Sequence, residues 1–456
     1  MLNRGFSLEP PETPSRKNAT GWLLLALSSL VIGGLFTLLI VMSRTPGIQD
    51  IFPWVDFFHT ALVVHVDLTV LVWFLSFAGV LWSLNGSGRH TPWMRAALWL
   101  CVAGTLTITA APFLGAGNPL MNNYVPVLQD PVFFFGLGLF GAGFTALVLH
   151  GLLFSRPVGK QITGTGALRF GMLTALAIAL LAILALAASW SGMPDSVTGK
   201  SYYELLFWGA GHTIQFTHVQ LMLVVWLWLA TISGALPNLS PRVALLLFAL
   251  GALPALLTPG IYLAYEVGSA NHILGLTWLM QYGGGLAALP MGAIIVWTAL
   301  QSGKPPETCR AERTALLFSI LLFGVGGIIG FLISGSNVTI PAHYHGSIVA
   351  VTLAYMGITY HILPWLGFRK PLGRIVALQP AIYGSGQLMH VLGLAWSGGY
   401  GVQRKTAGSA QGLESIQKIA GMGIMGLGGL IAIVGGILFL VIVFRAMWPR
   451  GQQQEQ

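Results

Sequence analysis

"IPAHYHGSIVAV", residues 340–351, places two histidines one residue apart in a stretch apolar enough for the interior of a membrane. In a helix, residues i and i+2 point about 200° apart, so His343 and His345 cannot share one partner. A buried imidazole needs a polar partner. Whatever His343 binds therefore lies on one side of the helix, and whatever His345 binds lies on the other.

The rest of the chain tells what solvent this helix sits in. Of 456 residues, 55% are hydrophobic and 8% are charged, where a soluble chain carries roughly a quarter charged. The composition implies an all-α integral membrane protein in a lipid bilayer. Apolar stretches of about 20 residues, enough to cross a bilayer, fall near 20–42, 57–84, 93–115, 131–154, 167–190, 203–235, 242–265, 272–301, 314–335, 339–366, 377–399 and 420–446. They predict twelve transmembrane helices in one membrane domain, 20–447. A disordered cytoplasmic tail, 1–19, would precede it and a cytoplasmic tail, 448–456, would follow. With the N-terminus inside, all but five of the 22 Lys and Arg fall on one side; the exceptions are Arg44, Lys200, Arg404, Lys405 and Lys418. That asymmetry makes both termini cytoplasmic. The net charge of +9 then serves topology, and nothing points to nucleic acid. Residues 1–19 carry no cleavable-signal pattern. Cys101 and Cys309 offer neither a CxxCH haem attachment nor a disulfide.

Spans two, six, eight and ten run from outside to inside under this topology. His65 lies about eight residues into span two, His212 about nine into span six, and His343 and His345 start span ten. At about 1.5 Å per residue these lie within roughly 15 Å of the outer surface. A lone intramembrane histidine more often packs and hydrogen-bonds than ligates. Four at one depth, two of them as His-x-His, favour ligation, because neutral imidazole is the commonest metal ligand and an axial ligand of haem iron.

With these residues in place, the sequence resembles the catalytic subunit I of the haem–copper oxidase superfamily, which includes oxygen reductases and nitric oxide reductases. "AHYHGSIVAVTLAYMGITYHILPWLGFRKP" (342–371) resembles its tenth helix, "LLFWGAGHTIQF" (205–216) its sixth and "HVDLTVLVWFLSFAGVLW" (65–82) its second. "MNNYVPVLQDPVFFFGLGLFGAG" (121–143) and "GLAWSGGYGVQRKTAG" (393–408) extend the likeness over nearly the whole chain. The resemblance implies a twelve-helix bundle in a bacterial inner membrane holding two haems. It makes His65 and His345 the axial ligands of a low-spin haem and His343 the proximal ligand of a high-spin haem that binds gas. Span ten would then be the wall between the haems. Arg404 and Lys405 match the family's basic pair, which binds haem propionates through charge-assisted hydrogen bonds.

The family pattern also breaks. It normally holds a second metal with one histidine on helix six and an adjacent His-His pair on helix seven. His212 matches the first, but "TPGIYLAYEVGSANH" (258–272) stands in place of the pair, offering Tyr262, Tyr265, Glu266 and His272. Phe216 stands where a tyrosine is usual. The sequence leaves three accounts open. A reorganised site, non-haem iron before copper, is held by His212 and Glu266 with His272 or Tyr262; or only the high-spin haem is present; or the chain is a non-catalytic electron carrier or gas sensor. Of these, the site with a metal is favoured. Glu266, Tyr262 and His212 are the expected catalytic groups.

The missing tyrosine points away from oxygen and towards nitric oxide, whose coupling to nitrous oxide needs only two electrons and two protons. A tyrosine on helix seven would keep oxygen open. Asp67 is the one acid fully inside a span and lies in the outer half with His65, so protons are expected from outside. Electrons are expected from a partner subunit with haem c or a cupredoxin on the outer face, or from quinol. A transporter is the non-enzyme rival, supported by the helix-breaking "QYGGGLAALP" (281–290).

Overall fold

His343 and His345 fall in the first two turns of a helix, Thr339–Leu366, in the computed structural model. The structure describes residues 5–42, 54, 56–115, 117–405 and 411–448. Twelve long helical segments follow one another among them. They are α1 (Thr13–Met42), α2 (Phe57–Leu84), α3 (Thr91–Leu114), α4 (Pro131–Phe154), α5 (Gly164–Ser191), α6 (Gly199–Ile232), α7 (Pro241–Ala264), α8 (Ala270–Gln301), α9 (Glu307–Phe331), α10 (Thr339–Leu366), α11 (Arg374–Gly399) and α12 (Ile416–Met447).

Local chemistry sets where these helices begin. Asp130 caps α4 by accepting from the Val132 and Phe133 amides at 2.8 and 3.3 Å, with Pro131 at the first helical position. Ser240, followed by Pro241, caps α7 in the same way, and Ser269 caps α8. A side-chain acceptor satisfies an amide that the helix leaves orphaned, and proline has no such amide to lose.

Eleven of the described helices are long and apolar enough to cross a membrane. The twelfth expected span, α11, has the length but not the apolarity. Gln379, Tyr383, Gln387 and His390 recur at helical spacing on one face of it. Gln379 and His390 hydrogen-bond to the α12 carbonyls of Gly435 and Met425, both at 3.0 Å, the interhelical bonding by which membrane helices carry polar groups. The run at 281–290 interrupts α8 with a turn at 284–287.

The expected disordered tail is corrected over its described part. α1 begins at Thr13, and Phe6 and Leu8 before it are buried. Glu9 and Glu12 reach Arg156 at 3.5 and 3.2 Å, and the Thr165 hydroxyl donates to the Ser7 carbonyl at 2.8 Å. Two apolar anchors and the side chains of Arg156 and Arg169 hold the segment. Arg44 and residues 449–456 lie outside the described residues.

The chain divides into two units. The first, Met1–Val224 with Leu239–Met291, contains His65, His212, Tyr262 and His272; the second, Val225–Asn238 with Gly292–Gln456, contains His343, His345, Arg404 and Lys405. In the second unit α9 and α10 meet through facing glycines. A Cβ on Gly326 would lie 2.7 Å from the Ser347 nitrogen, and one on Gly346 would lie 2.7 Å from the Gly326 Cα. Small residues let backbones meet, and they do so where the His-x-His pair sits.

Candidate functional site

In the second unit, His343 Nδ1 is 2.7 Å from the Gly326 carbonyl, a bond that the glycine contact of α9 and α10 makes reachable. The ring lies against Gly330, where a Cβ would be 2.7 Å from Nδ1. His345 Nδ1 is 2.8 Å from the Pro341 carbonyl one turn earlier, and the ring stands 5.0 Å from that of His390. Val338 N donates to the Val402 carbonyl at 2.9 Å, tying the turn that carries Arg404 and Lys405 to the start of α10. Arg404 interacts electrostatically with Tyr344, between the two histidines.

In the first unit, His65 Nδ1 is 2.9 Å from the Gly33 carbonyl of α1 and 3.1 Å from the Thr37 hydroxyl. Directly after it α2 winds into a π-helix, Asp67–Val72, a local irregularity frequent at functional sites. Asp67, 1% exposed, has no hydrogen-bond partner on either carboxyl oxygen.

α5, α6, α7 and α8 build a second cluster in this unit. His212 Nδ1 is 2.8 Å from the Trp208 carbonyl; a carbonyl only accepts, so Nδ1 carries the hydrogen and Nε2 a lone pair. The Tyr124 oxygen lies 2.9 Å from Nδ1 and 3.1 Å from Nε2. An oxygen so nearly equidistant from both nitrogens would collide with Cε1 if it lay in the ring plane. The phenol therefore sits over the imidazole face, and the in-plane lone pair of Nε2 stays open. Tyr262 abuts α6 one turn before His212: a Cβ on Gly209 would lie 1.9 Å from its oxygen. Its hydroxyl bonds the Ser189 hydroxyl at 2.6 Å, and its ring stands edge-on to His272 at 4.8 Å. His272 is fully buried, and neither ring nitrogen has a partner. A buried polar group left unsatisfied costs about 1–3 kcal/mol.

Tyr124 is the residue that sequence reasoning missed. It comes from the 115–130 loop, where the Asn122 side chain accepts from the Tyr124 and Val125 amides at 3.1 and 3.0 Å and Glu204 accepts from the Asn123 amide at 3.1 Å. Gly211 makes room for the ring, since a Cβ there would lie 2.1 Å from it. Loss of hydration pushes the phenol well above its ordinary range; a bond with the Gln215 side chain opposes this and the Glu204 charge adds to it.

The family model of "Cytochrome C and Quinol oxidase polypeptide I" matches residues 17–438. The chain belongs to that family. It is thus a haem–copper oxidase superfamily member, a multi-pass membrane oxidoreductase. An uncharacterized protein of Rickettsia prowazekii (strain Madrid E) is 30% identical to it, over 94% of this chain and 96% of the relative. Another, of Aquifex aeolicus (strain VF5), is 29% identical over 79% and 88%. A solved heme-copper terminal oxidase dimer shares the fold, with TM-score 0.72 and 16% identity, over 97% of this chain and 85% of that one.

Membership implies haem and a second metal, and the side chains test both. His65, His343 and His345 each spend Nδ1 on a backbone carbonyl, as His212 and His390 also do, the pattern by which a ligating histidine fixes its tautomer and keeps Nε2 for iron. The haem fits. For the second metal the expected ligand set needs correcting. Glu266 is exposed in the turn between α7 and α8, as is Tyr265, and the Glu266 carbonyl accepts from Ser269 N at 3.1 Å. The Ser269 cap starts α8 just beyond that turn, and His272 in the first turn of α8 is buried. Among the described residues no three His, Cys, Asp or Glu side chains are grouped to hold a metal. The donors that do gather are His212, His272 and Tyr262.

Proposed function

We propose that this protein is the catalytic subunit of a terminal reductase in a bacterial inner membrane, both termini cytoplasmic. It would pass electrons through a low-spin haem to a high-spin haem that reduces nitric oxide to nitrous oxide. The observation that carries this reading is the shared state of His65, His343 and His345, each with Nδ1 engaged by a backbone carbonyl. Haem, when bound, supplies one-electron transfer and an iron that takes a diatomic gas. His65 and His345 would hold the low-spin haem and His343 the high-spin haem. Arg404 and Lys405 would pair with propionates at the outer end of α10. Electrons would arrive from an outer-face partner carrying haem c or a cupredoxin, or from quinol.

Phe216, in place of the family's usual tyrosine, supports nitric oxide over oxygen. A second reading, oxygen reduction, gains from Tyr262, a phenol in the same cluster as His212. Separate variants test the haem assignment. His65→Ala and His345→Ala should each abolish the low-spin optical signal while sparing carbon monoxide binding, and His343→Ala should do the reverse. Purified protein without haem, or the opposite pattern, overturns the reading. Turnover with nitric oxide and with oxygen as sole acceptor then separates the two substrates.

A further inference from the structure

His390 serves neither haem as a ligand, yet it stands against one of the ligating histidines. Its ring centroid is 5.0 Å from that of His345, with the two planes at 48°, inside the range at which aromatic rings hold one another. The Tyr344 ring also stands 5.0 Å from His345, closer to parallel at 28°. Tyr344 is the chain neighbour of His345, and the Pro341 carbonyl that meets Nδ1 at 2.8 Å belongs to the same helix. His390 reaches the ring from another helix, α11. A hydrogen bond at Nδ1 fixes one atom of an imidazole and leaves its plane to be set by what lies against its faces.

α12 in turn holds His390. Its Nδ1 is 3.0 Å from the Met425 carbonyl; a carbonyl only accepts, so Nδ1 carries the hydrogen. The two helices meet backbone to backbone at this level. A Cβ on Gly428 would lie 2.4 Å from the His390 nitrogen, and one on Gly393 would lie 2.4 Å from the Met425 nitrogen. Small residues allow that approach, and it brings the Met425 carbonyl within reach of the ring. A Cβ on Gly429 would lie 3.3 Å from Nδ1, so α12 bounds the imidazole on a second side. Gln379 makes a comparable bond to the Gly435 carbonyl, also at 3.0 Å, but it lies about 16 Å away along α11.

We propose that His390 is a positioning residue for the low-spin haem: its ring, anchored on α12, fixes the plane of the His345 imidazole. This rests on the assignment of His345 to that haem. α12 carries none of the ligands, and it acts on the haem through two contacts, Met425 on His390 and His390 on His345. Groups outside the ligand set orient ligating histidines in this way. The plane of an axial imidazole decides which iron d orbitals its π electrons raise. The largest g value of the oxidised low-spin haem therefore reports that plane directly.

The test is the electron paramagnetic resonance spectrum of the oxidised full chain, purified with its haems. His390→Gln keeps a donor for the Met425 carbonyl, as Gln379 supplies one to Gly435, but removes the ring against His345. It should shift and broaden the largest g value with haem content unchanged. His390→Phe keeps a ring and loses the interhelical bond, and its g value should stay close to that of the parent. A residue that only held α11 to α12 would give the reverse order. Gln379→Ala, which breaks the comparable bond far from His345, should leave the g value in place. An unmoved g value in His390→Gln or an equal shift in Gln379→Ala overturns the inference. So does a shifted value in His390→Phe, which decides alone if His390→Gln loses both haems and so has not folded. Loss of the low-spin signal in His390→Gln with carbon monoxide binding retained would make His390 a ligand and overturn it too. A low-spin signal that survives His345→Ala would instead overturn the assignment on which it rests.

Discussion

Gly330→Ala should loosen one haem and not the other. The new Cβ would stand 2.7 Å from His343 Nδ1 and 2.8 Å from Cε1, where ordinary contact begins at 3.4 Å, so the ring must give way by about 0.7 Å. Its Nδ1 bond to the Gly326 carbonyl, 2.7 Å long, does not survive such a shift. Removing the outer partner of a ligating histidine typically costs about 10–100-fold in affinity, or about 1.4–2.8 kcal/mol. Alanine in a helix interior gains up to about 1 kcal/mol over glycine, roughly what a lost hydrogen bond takes away. Stability should therefore stay within about 1 kcal/mol while the high-spin haem is held 10–100-fold more weakly. Haem transfer to an apo-globin scavenger measures this, followed by the carbon monoxide difference spectrum, with the low-spin bands as internal control. Equal retention of both haems in the variant would refute the claim that Gly330 seats the His343 ring.

Three further outcomes follow from the same geometry. Replacing Arg404 and Lys405 together by Gln should shift a haem midpoint potential, by about 59 mV for each tenfold differential loss of affinity, and an unchanged redox titration would make them ordinary loop residues. Asp67→Leu should raise thermal stability by about 1–3 kcal/mol, since the buried carboxyl has no partner, and a loss of stability would reveal one. Tyr124→Phe should leave stability between pH 6 and 9 unaffected by titration. Because the folded protein holds the phenol proton more tightly than the unfolded chain, stability falls only as pH rises above the ordinary tyrosine pKa of about 10. Alkaline unfolding profiles should show that fall in the parent protein and less of it in the variant.

The helices and the His-x-His pair were legible in the sequence because both are local: twenty apolar residues and a spacing of two carry their own geometry. α11 sits at the edge of that legibility. Its row of Gln379, Tyr383, Gln387 and His390 lowers the apolar signal because the side chains face another helix and not lipid. The broken metal site was legible as an absence, but not in what replaces it. Glu266 and His272 are six residues apart, and the direction of the turn between them decides which is buried. Tyr124 comes from a loop with no period to read, and its approach depends on Gly211 in another element. Gly33, Gly326 and Gly330 serve the histidines through backbone and empty space, which leaves no mark on residue chemistry.

The π-helical turn after His65 has a consequence of its own. Trp73 N bonds the Leu68 carbonyl, five residues back, where an α-helix would reach four. One surplus residue is thus absorbed inside α2, and everything before it is rotated about 100° against everything after. α2 is two helical phases spliced end to end. A relative lacking the bulge would match it only with a one-residue gap between His65 and Trp73; an ungapped comparison would pair residues about 100° apart around the helix. For the same reason, deleting a single residue from 67–72 would keep the helix and turn His65 away from its place.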